Sequence, residues 1–189
     1  MKIITGEYGG RRFDAPRNLQ ARPTTDLAKQ ALFNILQCRI DLEGCRALDL
    51  FSGTGSISFE LLSRGAEQVT SVEMGRQQQQ FIQHVAEQLR IPRQRHQLVR
   101  GDVFRYLSSR GPATPFQFIF ADPPYALDRL AELPDLVLAG EWLSADGIFV
   151  LEHGKENDFS AHPLFQELRT YGAVHFSFFA KTAHNAEQE

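Results

Sequence analysis

Little in this sequence could hold a metal ion or a disulfide framework. It has two cysteines, Cys38 and Cys45, and six histidines scattered singly. Without a CxxC pair or a His/Cys cluster at ligand spacing, zinc modules and thiol-redox proteins are excluded, and no metal is expected. Both cysteines are expected to be buried free thiols, as unpaired cysteines usually are. Long apolar runs are equally absent: no stretch approaches the roughly 20 residues that cross a bilayer. The opening Met1-Lys2-Ile3-Ile4-Thr5-Gly6 does not read as a secretory leader, so a cytoplasmic protein away from the membrane is expected. There is no internal repeat. The short run Gln77 to Gln80 reads as a solvated helix face rather than an interaction tract.

What is present is 189 residues, 42% hydrophobic, enough for one substantial core and too few for two ordinary catalytic domains. The net charge of -3 argues against a polyanionic partner, yet it is unevenly spread. Residues 1–30 carry +3, with Lys2, Arg11, Arg12, Arg17, Arg22 and Lys29 against Glu7, Asp14 and Asp26; the remainder carries -6. The amino-terminal end is thus the end that would meet a polyanion, although a solvated surface hairpin accounts for the charge as well. A second basic cluster, Arg90, Arg93, Arg95, Arg100, Arg105 and Arg110, reads as solvated surface.

Ile3 to Phe13 has two short apolar runs around Gly9-Gly10, the pattern of a hairpin. Pro23 ends the extended stretch, and a threonine of Thr24-Thr25 can cap the helix populated by Leu27, Ala31, Phe33, Ile35 and Leu36. From Arg46 short apolar runs alternate with amphipathic segments, the signature of a parallel α/β sheet. Strands are predicted near 46–50, 68–73, 97–100, 116–121 and 147–152. Helices between them carry Ile57, Phe59, Leu61 and Leu62, then Phe81, Ile82, Val85 and Leu89. Pro134 starts a further helix, and Leu168 to Tyr171 with Val174 to Lys181 flank Gly172 as an antiparallel pair.

Four strand ends carry chemistry. Ala47-Leu48-Asp49-Leu50-Phe51-Ser52-Gly53-Thr54-Gly55-Ser56 is a strand entering a glycine loop and then a helix, where backbone can touch a nucleotide-like ligand. Position 58 is Ser, not the third glycine of the dinucleotide fingerprint, which counts against a nicotinamide oxidoreductase. Val69 to Met74 ends in Glu73, 24 residues beyond Asp49, where a carboxylate can accept both ribose hydroxyls. Val99-Arg100-Gly101-Asp102-Val103 ends a third strand in an acid able to accept from an adenine amino group. Each is weak alone; together they describe one adenosine-bearing ligand in one crevice.

The fourth end, Asp122-Pro123-Pro124-Tyr125, is specific. Consecutive prolines hold the backbone extended and leave carbonyls without neighbouring N–H partners, so the Pro123 oxygen and the Asp122 carboxylate can hold both hydrogens of an exocyclic amine. Tyr125 offers a ring on which a base stacks; in that role the ring matters and the hydroxyl does not.

On these residues the chain resembles the class I methyltransferases and, within them, the bacterial RsmD family, which methylates N2 of a guanine in 16S ribosomal RNA. The resemblance runs from Gly6 to Arg12 through Arg22-Pro23-Thr24-Thr25-Asp26, Phe33-Asn34 and the Asp49 to Gly55 loop to Asp122 to Tyr125. It implies a Rossmann-like seven-stranded α/β sheet of order 3-2-1-4-5-7-6 with an added N-terminal β-hairpin. The hairpin, residues 1–22, would contact RNA through Arg11, Arg12, Arg17 and Arg22, and residues 23–189 would form the methyltransferase domain. S-adenosylmethionine would lie with its methionine part along Asp49, Phe51, Gly53 and Gly55, its ribose at Glu73, and its adenine at Met74, Asp102 and Val103. Asp122, Pro123 and Tyr125 would face the guanine, and S-adenosylhomocysteine would leave. The implied partner is 16S rRNA within an assembling small ribosomal subunit, with the enzyme a monomer. An adenine-N6 DNA methyltransferase shares the Asp-Pro-Pro-Tyr motif, but usually carries a separate DNA-recognition region. A non-catalytic RNA-binding assembly factor is the remaining alternative.

Overall fold

A computed structural model of the chain describes residues 1–16, 19 and 25–182. Its frame is one seven-stranded sheet: β1 (Arg46–Leu50), β2 (Gln68–Glu73), β3 (His96–Arg100), β4 (Phe116–Ala121), β5 (Leu143–His153), β6 (Phe165–Tyr171) and β7 (Val174–Ala180). The order is β3-β2-β1-β4-β5-β7-β6, as the resemblance implies, with β1 to β5 parallel and β7 antiparallel to both β5 and β6. Strand β5 begins four residues ahead of the predicted start, and the shift of register between Phe116 and Phe118 shows where its pairing with β4 is interrupted.

Alternation along the central strands assigns each side chain to a face. Phe118, Phe120, Ile148 and Val150 join α1 (Asp26–Gln37), α2 (Ser56–Ser63) and α3 (Arg76–Gln88) in one core, through Leu32, Phe33, Leu61, Leu62, Phe81 and Val85. Ile119, Ala121, Phe149 and Leu151 meet α4 (Val103–Leu107) and α5 (Leu133–Leu138) on the other face. Burial on both faces is why β1 and β4 read as nearly continuous apolar runs. Thr25 caps α1, its side chain accepting from the Ala28 N–H at 3.1 Å.

One expectation is corrected. Cys45 is buried but Cys38, just past the end of α1, is exposed; it lies on the solvent side of the helix end, where apolar pattern says nothing about a single position. The N-terminal segment forms no strands among the described residues. It has one isolated antiparallel bridge, Lys2 to Arg12, supplemented by Ile3 N–H to Arg11 O (3.0 Å) and Phe13 N–H to Met1 O (2.9 Å). Further backbone donors of the segment bond α2. Ile4 and Thr5 N–H groups bond the Glu60 carboxylate at 2.7 and 3.1 Å, Glu7 N–H bonds Ser63 O at 2.7 Å, and Tyr8 N–H bonds Ser63 Oγ at 2.9 Å.

Candidate cofactor and base site

The strand order reverses at β1, whose neighbours β2 and β4 lead away in opposite directions, and in such sheets ligands bind at the carboxyl ends of the strands there. Register aligns the ends: Arg100 lies opposite Glu73, Val72 opposite Leu50, and Leu50 opposite Ala121. The residues that follow, Asp102, Glu73 itself, the Phe51 to Gly55 loop and Asp122, therefore line one edge across three strand gaps, about 14 Å at the usual strand spacing.

The glycine loop is tightly wound. Phe51, Gly53 and Gly55 have φ of 58°, 54° and 74°. At Gly55 a Cβ would also come within 2.8 Å of the Phe59 ring, so only glycine serves. Phe51 adopts the left-handed region without that freedom, a strained conformation of the kind that clusters at ligand sites, with its ring packed edge-on to Phe104 at 6.3 Å between centroids.

Glu73 ties the loop to its neighbour. One carboxylate oxygen accepts from Gly53 N–H at 2.8 Å and the other from Gly75 N–H at 2.7 Å. Each oxygen retains a second lone-pair direction, so the group is both oriented and able to accept two ribose hydroxyls. Asp102 caps α4 through Oδ1, which accepts from Arg105 N–H at 2.9 Å, while Met74 beside Glu73 is 70% exposed and Val103 is buried.

Asp49 has a different setting. It is 1% exposed, beneath the loop rather than on it, and its Oδ2 accepts from both the N–H (3.1 Å) and the hydroxyl of Ser58. The Ser58 hydroxyl continues to Ser71 Oγ at 2.6 Å and thence to His96 Nε2 at 2.8 Å. The sequence marked Ser58 only as a missing glycine; it is the partner that supports Asp49. Burial pushes the Asp49 carboxyl up to about 7, against the Ser58 hydrogen bonds and with help from the Glu73 charge, and pushes His96 down to about 4.

The two shifts act oppositely on stability. A carboxyl raised from 3.8 to about 7 keeps its proton in the folded state after the unfolded chain has lost it, so its contribution is full below pH 4 and is lost as pH rises to 7. A histidine lowered from 6.5 to about 4 contributes above 6.5 and loses that contribution as pH falls toward 4. Asp49→Asn removes the first of these alone. Chemical denaturation across pH should show the variant gaining stability relative to the parent between about pH 4 and 7; parallel curves would show that Asp49 titrates as it does unfolded.

Asp122 follows the last residue of β4, its N–H on Leu50 O at 3.3 Å, with Pro123 buried and Pro124 exposed. Tyr125 departs from expectation in that its hydroxyl has a partner, donating to Glu152 Oε1 at 3.0 Å. Sequence reading missed Glu152, which lies 27 residues on at the end of β5, and carries no motif.

Of the basic residues, Arg11 and Arg12 are exposed on the N-terminal turn, and Arg17 and Arg22 lie outside the described residues, with most of the Arg22 to Asp26 motif. Arg95 is structural: it bonds Glu7 and the carbonyls of Leu62 and Ala66. Gln79, in the run read as a solvated face, bonds the Glu73 and Met74 carbonyls. Among the described residues no group of three or more His, Cys, Asp or Glu is arranged to hold a metal ion, and no helix is long and apolar enough to cross a membrane.

A seven-stranded sheet of this order, with a glycine loop after its first strand and acids at the ends of the next two, defines the class I methyltransferase fold. Residues 1–180 match the family described as Conserved hypothetical protein 95, and the chain belongs to that family, the RsmD family. The Ribosomal RNA small subunit methyltransferase D of Escherichia coli (strain K12) is 32% identical over 164 residues, 86% of this chain and 79% of that protein. The solved structure of Escherichia coli yhhF superposes with a TM-score of 0.83 at 28% identity, covering 97% of this chain and 98% of the other. SMU.776, solved as a complex with SAH, shares the fold at a TM-score of 0.60 and 20% identity, over 80% of this chain and 49% of its own.

Proposed function

We propose that this protein transfers a methyl group from S-adenosylmethionine to the exocyclic N2 of a guanine in 16S, small-subunit, ribosomal RNA. The observation that carries the reading is the placement of Asp122-Pro123-Pro124-Tyr125 at the end of β4, one strand from the glycine loop of β1. Ribosomal RNA rather than DNA is favoured because the Escherichia coli relative is named for the small ribosomal subunit.

Glu73, already oriented by two N–H groups, suits a ribose; the Gly53 to Gly55 backbone suits the methionine part, and Asp102, Met74 and Val103 the adenine. When bound, S-adenosylmethionine supplies an electrophilic methyl group on a positively charged sulfur. The chain's own contribution is alignment and charge. The Asp122 carboxylate and the Pro123 carbonyl accept the two N2 hydrogens, which turns the nitrogen lone pair out of conjugation. Tyr125 stacks on the base, which must be splayed from its neighbours to enter. As N2 gains a bond to carbon it becomes positive, the Asp122 carboxylate opposes that charge, and the surplus proton leaves through it.

Mass spectrometry of nucleosides from 16S rRNA tests the proposal. A strain lacking the protein should lose one N2-methylguanosine and regain it on complementation. An unchanged rRNA profile with loss of N6-methyladenine from DNA would replace this reading by the DNA one.

Arg11 and Arg12 lie on a turn whose backbone is anchored to α2, so the two guanidiniums are presented from a fixed base. The pair is the best-placed RNA grip ahead of an acidic catalytic body. Replacing both by alanine should lower the slope of log affinity against log salt by roughly one unit per lost phosphate contact, with cofactor affinity unchanged. Coincident slopes would show that neither touches phosphate. Reduced cofactor affinity would show instead that the turn's packing on α2 had been disturbed.

A further inference from the structure

We infer that Glu152 is a positioning residue for the base, its buried carboxylate holding the Tyr125 ring in the attitude on which the guanine stacks. The inference rests on the methyl-transfer reading above. Strand β5 lies beside β4, and the register of Ala121 opposite Leu151 makes Asp122 and Glu152 neighbours one residue further on. Glu152 is 3% exposed, and the Tyr125 hydroxyl donates to its Oε1 at 3.0 Å. The near edge of the ring rests on the chain itself, since a Cβ added to Gly154 would stand 3.1 Å from Tyr125 Cδ2. The ring is therefore held at its tip by a carboxylate and along its edge by a backbone stripped of side chain.

Burying an ionised carboxylate costs several kcal/mol unless donors compensate it. The surrounding sheet does not call for one: Val150, on the same face of β5, and Phe176, opposite Glu152 on β7, are both apolar and buried. An acid among such neighbours needs hydrogen-bond partners, and the Tyr125 hydroxyl is one of them. A hydrogen bond from the hydroxyl to a buried acceptor fixes the tip of the ring. A stacking platform already in its bound rotamer spares the ordering cost that binding would otherwise incur. Asp122, Pro123 and Tyr125 remain the groups that meet the base; Glu152 acts through Tyr125, whose hydroxyl then matters as well as its ring.

The test is steady-state methyl transfer to 16S rRNA and to small ribosomal subunits by Tyr125→Phe, Glu152→Ala, Glu152→Gln and the double variant Tyr125→Phe/Glu152→Ala, alongside S-adenosylhomocysteine affinity. Tyr125→Phe and Glu152→Ala should each lower kcat about tenfold, the loss of one buried hydrogen bond. Glu152→Gln, which keeps an oxygen acceptor, should restore most of the rate, and the double variant should be no slower than Glu152→Ala. Cofactor affinity should stay within about twofold throughout, since the substitutions leave the glycine loop and Glu73 untouched. Wild-type kcat in Tyr125→Phe overturns the inference without any change at Glu152. So does a double variant whose loss is the product of the single ones, or a Glu152→Gln as slow as Glu152→Ala. Wild-type protein that methylates neither RNA substrate overturns the underlying reading, and with it the role assigned to Glu152, a result that cannot be confused with an active enzyme showing uncoupled losses.

Discussion

Asp122→Ala is expected to slow methyl transfer by roughly 100-fold or more while leaving cofactor affinity nearly unchanged, by analogy with removal of a preorganised polar group aimed at developing charge. The side chain stands at the end of β4, and its N–H bonds Leu50 O, so the backbone position is set by the neighbouring strand and survives truncation. On the proposed mechanism, what is lost is the acceptor that opposes positive charge on the attacking nitrogen. Single-turnover transfer to small-subunit rRNA and calorimetry with S-adenosylhomocysteine separate the two effects. A variant that retains more than a tenth of the rate would remove Asp122 from the reaction. Equal losses of rate and cofactor affinity would reassign it to the cofactor.

Glu60→Ala should destabilise the protein by about 3 to 5 kcal/mol, the usual result of leaving a buried charge without its partner. Glu60 is wholly buried on α2 and forms ion pairs with Arg64 at 2.9 Å and Lys29 at 3.5 Å, while accepting from the Ile4 and Thr5 N–H groups. Lys29 is also fully buried, and its ammonium bonds Lys2 O and Ser56 Oγ, the latter on the first residue of the helix that follows the glycine loop. Burial lowers the Lys29 pKa and Glu60 is the largest influence opposing it, so without Glu60 that pKa falls further. A base with a depressed folded pKa is destabilising below it, so the deficit should shrink as pH rises toward the ordinary lysine value. Urea denaturation at neutral and alkaline pH measures both. A loss below about 1 kcal/mol would show that the cluster is replaceable, as surface ion pairs are.

The strands, the helices other than α4 and the order of chemical groups along the strand ends are legible in the sequence, because each depends on local signals. Apolar runs bounded by turns mark strands, Thr25 ahead of an apolar stripe marks a helix start, and Pro123-Pro124 leaves carbonyls without neighbouring donors whatever surrounds them. Even so, the sheet order came from resemblance rather than from periodicity, which says nothing of which strands lie side by side.

Tertiary structure alone decided the buried polar contacts, because they join residues far apart in sequence and leave no periodic trace. Glu60 sits within Ser56-Ile57-Ser58-Phe59-Glu60, where its identity suggests a solvated position, and only packing shows it holding the backbone at residues 4 and 5. The same holds for the chain from Asp49 through Ser58 and Ser71 to His96, and for Glu152 at the Tyr125 hydroxyl. The N-terminal segment shows the limit from the other side. Its Gly-Gly turn and flanking apolar residues are a local signal for a chain that folds back on itself, whereas the anchoring of residues 4 to 8 on α2 leaves no local trace. Contacts between segments 55 residues apart are made by backbone groups, which no residue type in the sequence marks.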